Sequence, residues 1–212
     1  MTDNEEIPSM PPQPQITPES FLQENIAPRF KQRIDDLRRR IVALEQEIQD
    51  HLAAQATVKV VIEEGGGGTW YLNIRDGEMT VGTKPAFAPL MTTYQSYADW
   101  QVAVASGEAT LTPGPGGAQR ELTKSRIDRL KLLKGTVRFT FTHFPDGNER
   151  SFDLQFGEGE RLAAPQTVMT IKVEDARKMA RGELNPQVAF MSGLIKVSGD
   201  MALAMQFGAA MM

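Results

Sequence analysis

The sequence has no cysteine, which removes disulfides, thiolate zinc sites, iron–sulfur clusters and cysteine nucleophiles from consideration. Histidine is nearly as scarce: His51 and His143 stand about ninety positions apart. Neither has a serine or a paired carboxylate at a catalytic spacing, and His143 is the one candidate for a general base. No apolar run approaches the roughly 18 residues of a membrane-spanning helix. The opening residues, MTDNEEIPSM, lack the basic start and apolar stretch of a signal peptide, so a cytoplasmic location is expected. Excess positive charge is missing too. A net charge of −4 gives no whole-molecule attraction to nucleic acid or anionic membrane. Nucleic acid is therefore not an expected partner, and membrane contact is expected to be transient at most.

Phosphate-binding and metal signatures are equally thin. GGGG at 65–68 leads into a strand-like segment, without the helix N-terminus that makes a phosphate loop. GEGE at 157–160 reads as a turn. Asp146, Glu149, Glu158 and Glu160 lie near loop tips but form no recognisable ligand set. The expectation is a chain that is not an enzyme and has no metal or cofactor.

What the sequence does contain is ordered in blocks. Residues 1–20, rich in proline, glutamine and glutamate, carry too few large apolar groups to offset the entropy of ordering and read as a disordered arm. A helix follows over 28–56, with Pro28 suited to its first turn. Phe30, Ile34, Leu37, Ile41, Leu44 and Ile48 alternate spacings of four and three, a heptad seam held for nearly three heptads. So narrow a stripe calls for another helix. A homodimer or a partner protein held through the 30–52 helix is expected, the other possibility being that the helix folds back on its own domain. Arg38, Arg39 and Arg40 point in three directions around it and read as a solvated surface.

Beyond residue 57 the texture becomes short strands. VKVVI (58–62), four glycines and TWYLNI (69–74) form a hairpin. LMTTY (90–94) is a further strand, and 96–108 a helix with Ser96 as its cap and Gly107 as its stop. TPGPGGA (112–118) is a linker, and a basic helix spans about 120–134. The pattern then returns. VRFTFT (137–142) sets Val137, Phe139 and Phe141 on one face, PDGN (145–148) is a turn, and SFDLQF (151–156) sets Phe152, Leu154 and Phe156 on one face. TVMTIKV (167–173) is a strand and 173–183 a helix ending at Gly182. The second pass repeats the first at offsets of 75 to 82 residues, implying a duplicated β-β-β-α unit of which only the second copy is complete.

Seven of the 11 methionines lie after residue 168. Asn185-Pro186 suits the start of a short helix, Gly193 its stop, 194–197 a strand, and Asp200 the cap of a last helix, MALAMQFGAAMM, in which Gln206 is the only polar side chain. A helix without a polar face must be covered on nearly all sides or line something apolar.

GELNPQVAFMSGLIKVSGDMALAMQF (182–207) resembles the C-terminal signature of the sterol carrier protein type 2 domain: a glycine after a helix, Asn-Pro, Ala-Phe, a lysine-bearing strand, Gly-Asp and a short apolar helix. The resemblance covers about 130–212, extends weakly over 57–112 and is absent from the heptad helix. It implies an α+β fold, a curved and mainly antiparallel sheet covered by helices, with a sterol-carrier-like lipid-binding domain at 119–212 and a partial repeat plus linker at 57–118. It also implies an apolar tunnel with the C-terminal helix near its entrance. Its wall would include Phe139, Phe141, Phe152, Leu154, Phe156, Met169, Ile171, Met179, Phe190, Met191, Ile195, Leu203 and Phe207. The expected function is a soluble carrier of a fatty acyl, isoprenoid or sterol-like molecule. The alternative is a non-catalytic accessory subunit whose domain and coiled coil serve protein–protein interaction.

Overall fold

A computed structural model describes residues 17–106, 122–157, 159 and 161–211. Residues 1–16, the proposed stop Gly107, the 112–118 linker, Glu158 and Glu160 lie outside these. The chain divides into two units, residues 1–47 and 48–212.

The N-terminal unit is helical from α1 (Pro18–Phe21) through a π-helical turn (Leu22–Ile26) into α2 (Ala27–Leu52), whose last residues belong to the second unit. The helix thus begins ten residues before the expected start. Thr17 caps it, its hydroxyl accepting from the Ser20 amide at 3.1 Å, and Pro18 takes the first-turn role expected of Pro28. Pro28 lies inside the helix, where it cannot donate to residue 24 and its ring crowds that carbonyl. The wider turn just before it, closed by the Ala27 amide on the Leu22 carbonyl, gives the backbone room for the ring.

The second unit is built on one eight-stranded sheet. In chain order its elements are β1 (Ala56–Glu63), β2 (Gly68–Arg75), β3 (Glu78–Gly82), β4 (Pro89–Ser96), α3 (Tyr97–Ala105), α4 (Lys124–Leu130), β5 (Gly135–Thr142), β6 (Arg150–Phe156), β7 (Thr167–Lys172), α5 (Val173–Ala180), α6 (Pro186–Met191), β8 (Lys196–Gly199) and α7 (Met201–Met211). The strand order is β3-β2-β1-β4-β6-β5-β7-β8. All neighbours are antiparallel except β1 with β4 and β5 with β7, so the α+β, mainly antiparallel class read from the sequence is the class observed.

The same topology occurs twice. A hairpin (β1–β2, then β5–β6) is followed by a strand parallel to its first member (β4, then β7) and then by a helix (α3, then α5). Val58 faces Leu72 across the first hairpin and Val137 faces Leu154 across the second, reproducing offsets of 79 and 82. The segments read as successive modules, 57–118 and 119–212, meet where β4 pairs antiparallel with β6. At β4, β6 holds the place that β8 holds at β7, and at β6, β4 holds the place that β3 holds at β2. Each copy therefore completes the other's edge.

The sequence reading passed over β3. Its hairpin with β2 turns on Asp76 and Gly77, both at positive φ (53° and 77°), with Arg75 opposite Glu78. An Asp-Gly pair in a two-residue loop is a strong hairpin signal. Local caps match expectation: Ser96 accepts from the Asp99 amide at 3.0 Å, Asn185 from Gln187 at 2.8 Å and Asp200 from Leu203 at 3.0 Å. The basic helix is shorter than expected, starting after the Thr123 cap, but Leu122, Ile127, Leu130 and Leu133 are all buried.

Gly199 (φ +86°) joins β8 to α7 where a Cβ would lie 2.1 Å from the Gln166 carbonyl oxygen, which itself accepts from the Asp200 amide at 2.8 Å. Gly199→Ala is expected to cost about 2 kcal/mol or more, read as a fall in the urea midpoint with an unchanged m-value.

Candidate functional site

Strand alternation decides what meets beneath the sheet. Val137, Phe139 and Phe141 on β5 face Leu154, Phe152 and Arg150 on β6, while Phe139 and Phe141 lie beside Met169 and Ile171 on β7. Helix α7 lays Leu203, Ala204, Phe207 and Ala210 inward, positions spaced to share one helix face. Phe207 is in ring contact with Phe139 (5.5 Å) and Phe156 (5.9 Å). Phe139 stacks on Phe152 (5.2 Å), which in turn touches Phe141 (5.9 Å).

Eleven of the thirteen residues expected to wall a tunnel belong to this one cluster. Phe141, Phe152, Leu154, Phe156, Met169, Ile171, Leu203 and Phe207 are buried, with Phe139, Met179 and Ile195 half-buried against them. Their side chains fill the space between sheet and α7 by packing on one another. Phe190 and Met191 depart from the expectation: they are 41% and 79% exposed, because the single turn and a half of α6 turns only Ala189 inward. Helix α7 also departs from it, leaving Met201 and Met205 exposed on its outer side.

A half-open depression of about 530 Å³ adjoins the cluster, lined by Lys134, Gly135, Thr136, Gln155, Phe156, Gly157, Leu162 and Gln166. Of the thirteen expected residues, Phe156 alone lines it, so this ring stands between the depression and Phe207. Gln166 holds the neighbouring elements together. Its side-chain oxygen accepts from the Thr136 amide at 2.8 Å, and its carbonyl accepts from Asp200. None of these residues was singled out from sequence apart from Phe156. The depression depends on the meeting of β5, β6 and the 157–166 loop, which leaves no periodic trace.

The opposite face of the sheet carries a charge cluster that sequence reading also missed. Asp153, between Phe152 and Leu154, is 3% exposed. Arg138 grips it in two-pronged fashion (Nε to Oδ1 2.7 Å, Nη2 to Oδ2 3.0 Å), and Arg161 adds a bond to Oδ2 at 2.8 Å. Arg161 also pairs with Glu63 and lies over the Tyr94 ring at 4.3 Å. Burial raises the Asp153 pKa, but the hydrogen bonds and charges of the two guanidiniums outweigh it and hold the carboxyl below its ordinary value. Every partner of the carboxylate is thus a donor fixed in place, which is the arrangement of a structural anion.

The residues weighed for chemistry are dispersed. His143, at φ +64°, has its Nδ1 2.8 Å from the Thr142 hydroxyl. Asp146 organises its own turn, accepting from the Asn148 amide at 3.0 Å and pairing with Arg150. Glu149 is exposed. Among the described residues, no three His, Asp or Glu side chains group as a metal site, and no helix is long and apolar enough to cross a membrane.

A mainly antiparallel sheet whose apolar face is closed by a short, all-but-apolar C-terminal helix defines the class. Residues 118–212 match the family model of the SCP-2 sterol transfer family. Among curated relatives, hydroxysteroid dehydrogenase-like protein 2 of Bos taurus is 38% identical over 84 residues, covering 37% of this chain and 20% of its own length. Its Xenopus laevis counterpart is 42% identical over 84 residues with the same coverage. This chain therefore spans about a fifth of the length of the curated relatives it matches. Among solved structures, the sterol carrier protein domain 2 of Helicoverpa armigera aligns at 31% identity with a TM-score of 0.29, covering 36% of this chain and 65% of that one.

Because the Asp153 pKa is depressed by folding, its contribution to stability is present above the unfolded-state value near 3.9 and is lost as pH falls through the lower folded value. Asp153→Ala, which strands two guanidiniums, is expected to cost about 3–5 kcal/mol at pH 7. The gap between wild type and variant should narrow below about pH 4, measured by urea titrations across pH.

Proposed function

We propose that the second unit binds and carries an apolar molecule, a fatty acyl, isoprenoid or sterol-like compound, without catalysing its conversion. The observation that carries this reading is the placement of α7. A helix of leucine, alanine, methionine and phenylalanine closes the apolar face, and its Phe207 is in ring contact with Phe156, which lines the half-open depression. Methionine and phenylalanine re-pack readily around guests of varied shape. The depression has a volume in the range of small-molecule sites. Burying ten methylenes would contribute roughly 8 kcal/mol, the scale of micromolar affinity before ordering costs. In this reading the ligand's chain displaces Phe207 and Leu203 from the sheet, and its polar end stays beside Lys134 and Gln166. The match of residues 118–212 to the SCP-2 sterol transfer family supports it. Apolar walls select for size far more than for identity, so no single lipid is assigned.

A fluorescent fatty acid titrated into the purified chain, together with native mass spectrometry of protein from cells, tests the proposal. Saturable micromolar binding is expected. Phe156→Trp, narrowing the passage, should weaken it by about tenfold, with the unfolding free energy lowered by about 1–3 kcal/mol through overpacking and the chain still folded. Absence of binding and of co-purifying lipid in a folded wild-type chain would sink the carrier reading.

A further inference from the structure

Helix α2 buries no residue of its own. All six seam residues from Phe30 to Ile48 are between 36 and 72% exposed, an apolar stripe that a solitary helix would not keep in water. Their spacing assigns Ile34, Ile41 and Ile48 to position a of the heptad, and Phe30, Leu37 and Leu44 to position d. Isoleucine at a and leucine or phenylalanine at d supply an apolar knob at every layer of the seam.

The charges flanking the seam set the orientation. Residues 29–40 carry six basic side chains (Arg29, Lys31, Arg33, Arg38, Arg39, Arg40) against two acidic ones (Asp35, Asp36), whereas residues 41–50 carry Glu45, Glu47 and Asp50 and no lysine or arginine. In a parallel pair, position g meets e of the next heptad. Arg40 would then face Glu45, but Arg33 would face Arg38, and the two basic halves would lie side by side. In an antiparallel pair, g meets g and e meets e. Each basic half then lies against an acidic one: Arg33 faces Glu47 and Lys31 faces Glu45, twice each. Like charges meet only at the centre, where Arg38 faces Arg38 and Arg40 faces Arg40, and Arg38 also lies 3.6 Å from Asp35 of its own helix.

We infer that α2 pairs with α2 of a second copy of this chain in antiparallel orientation, with Phe30 layered on Ile48, Ile34 on Leu44 and Leu37 on Ile41 in each direction. This register uses all six apolar positions. Sliding it by one heptad in one direction leaves four apolar layers, and in the other replaces Phe30 by His51. The occupant is a second copy because the helix is complementary to its own reversal in both apolar layers and flanking charge.

The cysteine-free chain makes the test direct. Sedimentation velocity of the full-length protein should show a dimer at micromolar concentration. Ile34→Cys mixed with Leu44→Cys should give the mixed disulfide under mild oxidation. Ile34→Cys alone should not cross-link to itself, since antiparallel pairing sets two copies of residue 34 about 15 Å apart along the axis. Glu47→Lys should weaken the dimer about tenfold, turning two attractive pairs into repulsive ones, and adding Arg33→Glu should restore it. A monomer at all concentrations overturns the inference, as does recovery of the chain only in complex with a different protein. Efficient self-cross-linking of Ile34→Cys, or a dimer indifferent to Glu47→Lys, overturns the antiparallel arrangement, because a parallel pair places Glu47 opposite Leu52.

Discussion

The arrangement of the second unit depends on one buried carboxylate. Asp153 sits on β6 directly opposite Tyr94 of β4 and Arg138 of β5, so the strands of both repeats meet around it. Arg161, from the loop after β6, reaches back to Glu63 at the end of β1. An ionised group this deep is tolerable only with its lone pairs satisfied. Its donors come from the neighbouring strand β5 and the loop after β6, and the distant member of the cluster is Glu63, held through Arg161. The cluster therefore ties β1, β4, β5, β6 and the 157–166 loop into a single geometry. It also fixes the register at which the two copies join. Slipping β6 by one residue would turn Asp153 into the apolar face and Phe152 out of it.

The two faces of the sheet divide the labour. The polar face carries the fixed charges and is held rigid by them. The apolar face carries phenylalanine, methionine and leucine, whose contacts are many, weak and exchangeable. Rigid framework on one side and adaptable packing on the other is what a binding module for guests of varied shape requires. The loop that holds Arg161 also supplies Leu162 and Gln166 to the depression, so the charge cluster and the edge of the depression share one segment of chain.

Much of this was legible from the sequence because it is local. Seven of the eight strands were legible, β5 and β6 through period-two alternation and β8 two residues out of place, at 194–197 against the observed Lys196–Gly199. Ser96, Asn185 and Asp200 announced their helices by chemistry that acts within three residues. The eighth strand was legible too, through the Asp76-Gly77 turn, but EMTVG is short and only half apolar. The early helix start was hidden by Pro28, whose usual place at a first turn was taken by Pro18. What could not be read is what depends on long-range pairing. Nothing in SFDLQF separates a buried aspartate from a solvated one, because the difference lies in Arg138 and Arg161 arriving from other strands and loops. The filled state of the cluster and the outward turn of Phe190 and Met191 likewise follow from how α6 and α7 dock, not from their composition.

The mutual completion of the two repeats leaves the sheet with two outer rims, β3 of five residues and β8 of four. Rims this short, one bearing Glu78 and the other Lys196, offer little backbone for a neighbouring sheet to zip onto. Joining two unfinished copies edge to edge thus covers one border of each that would otherwise have been open. Short charged rims of this kind disfavour edge-to-edge growth between sheets.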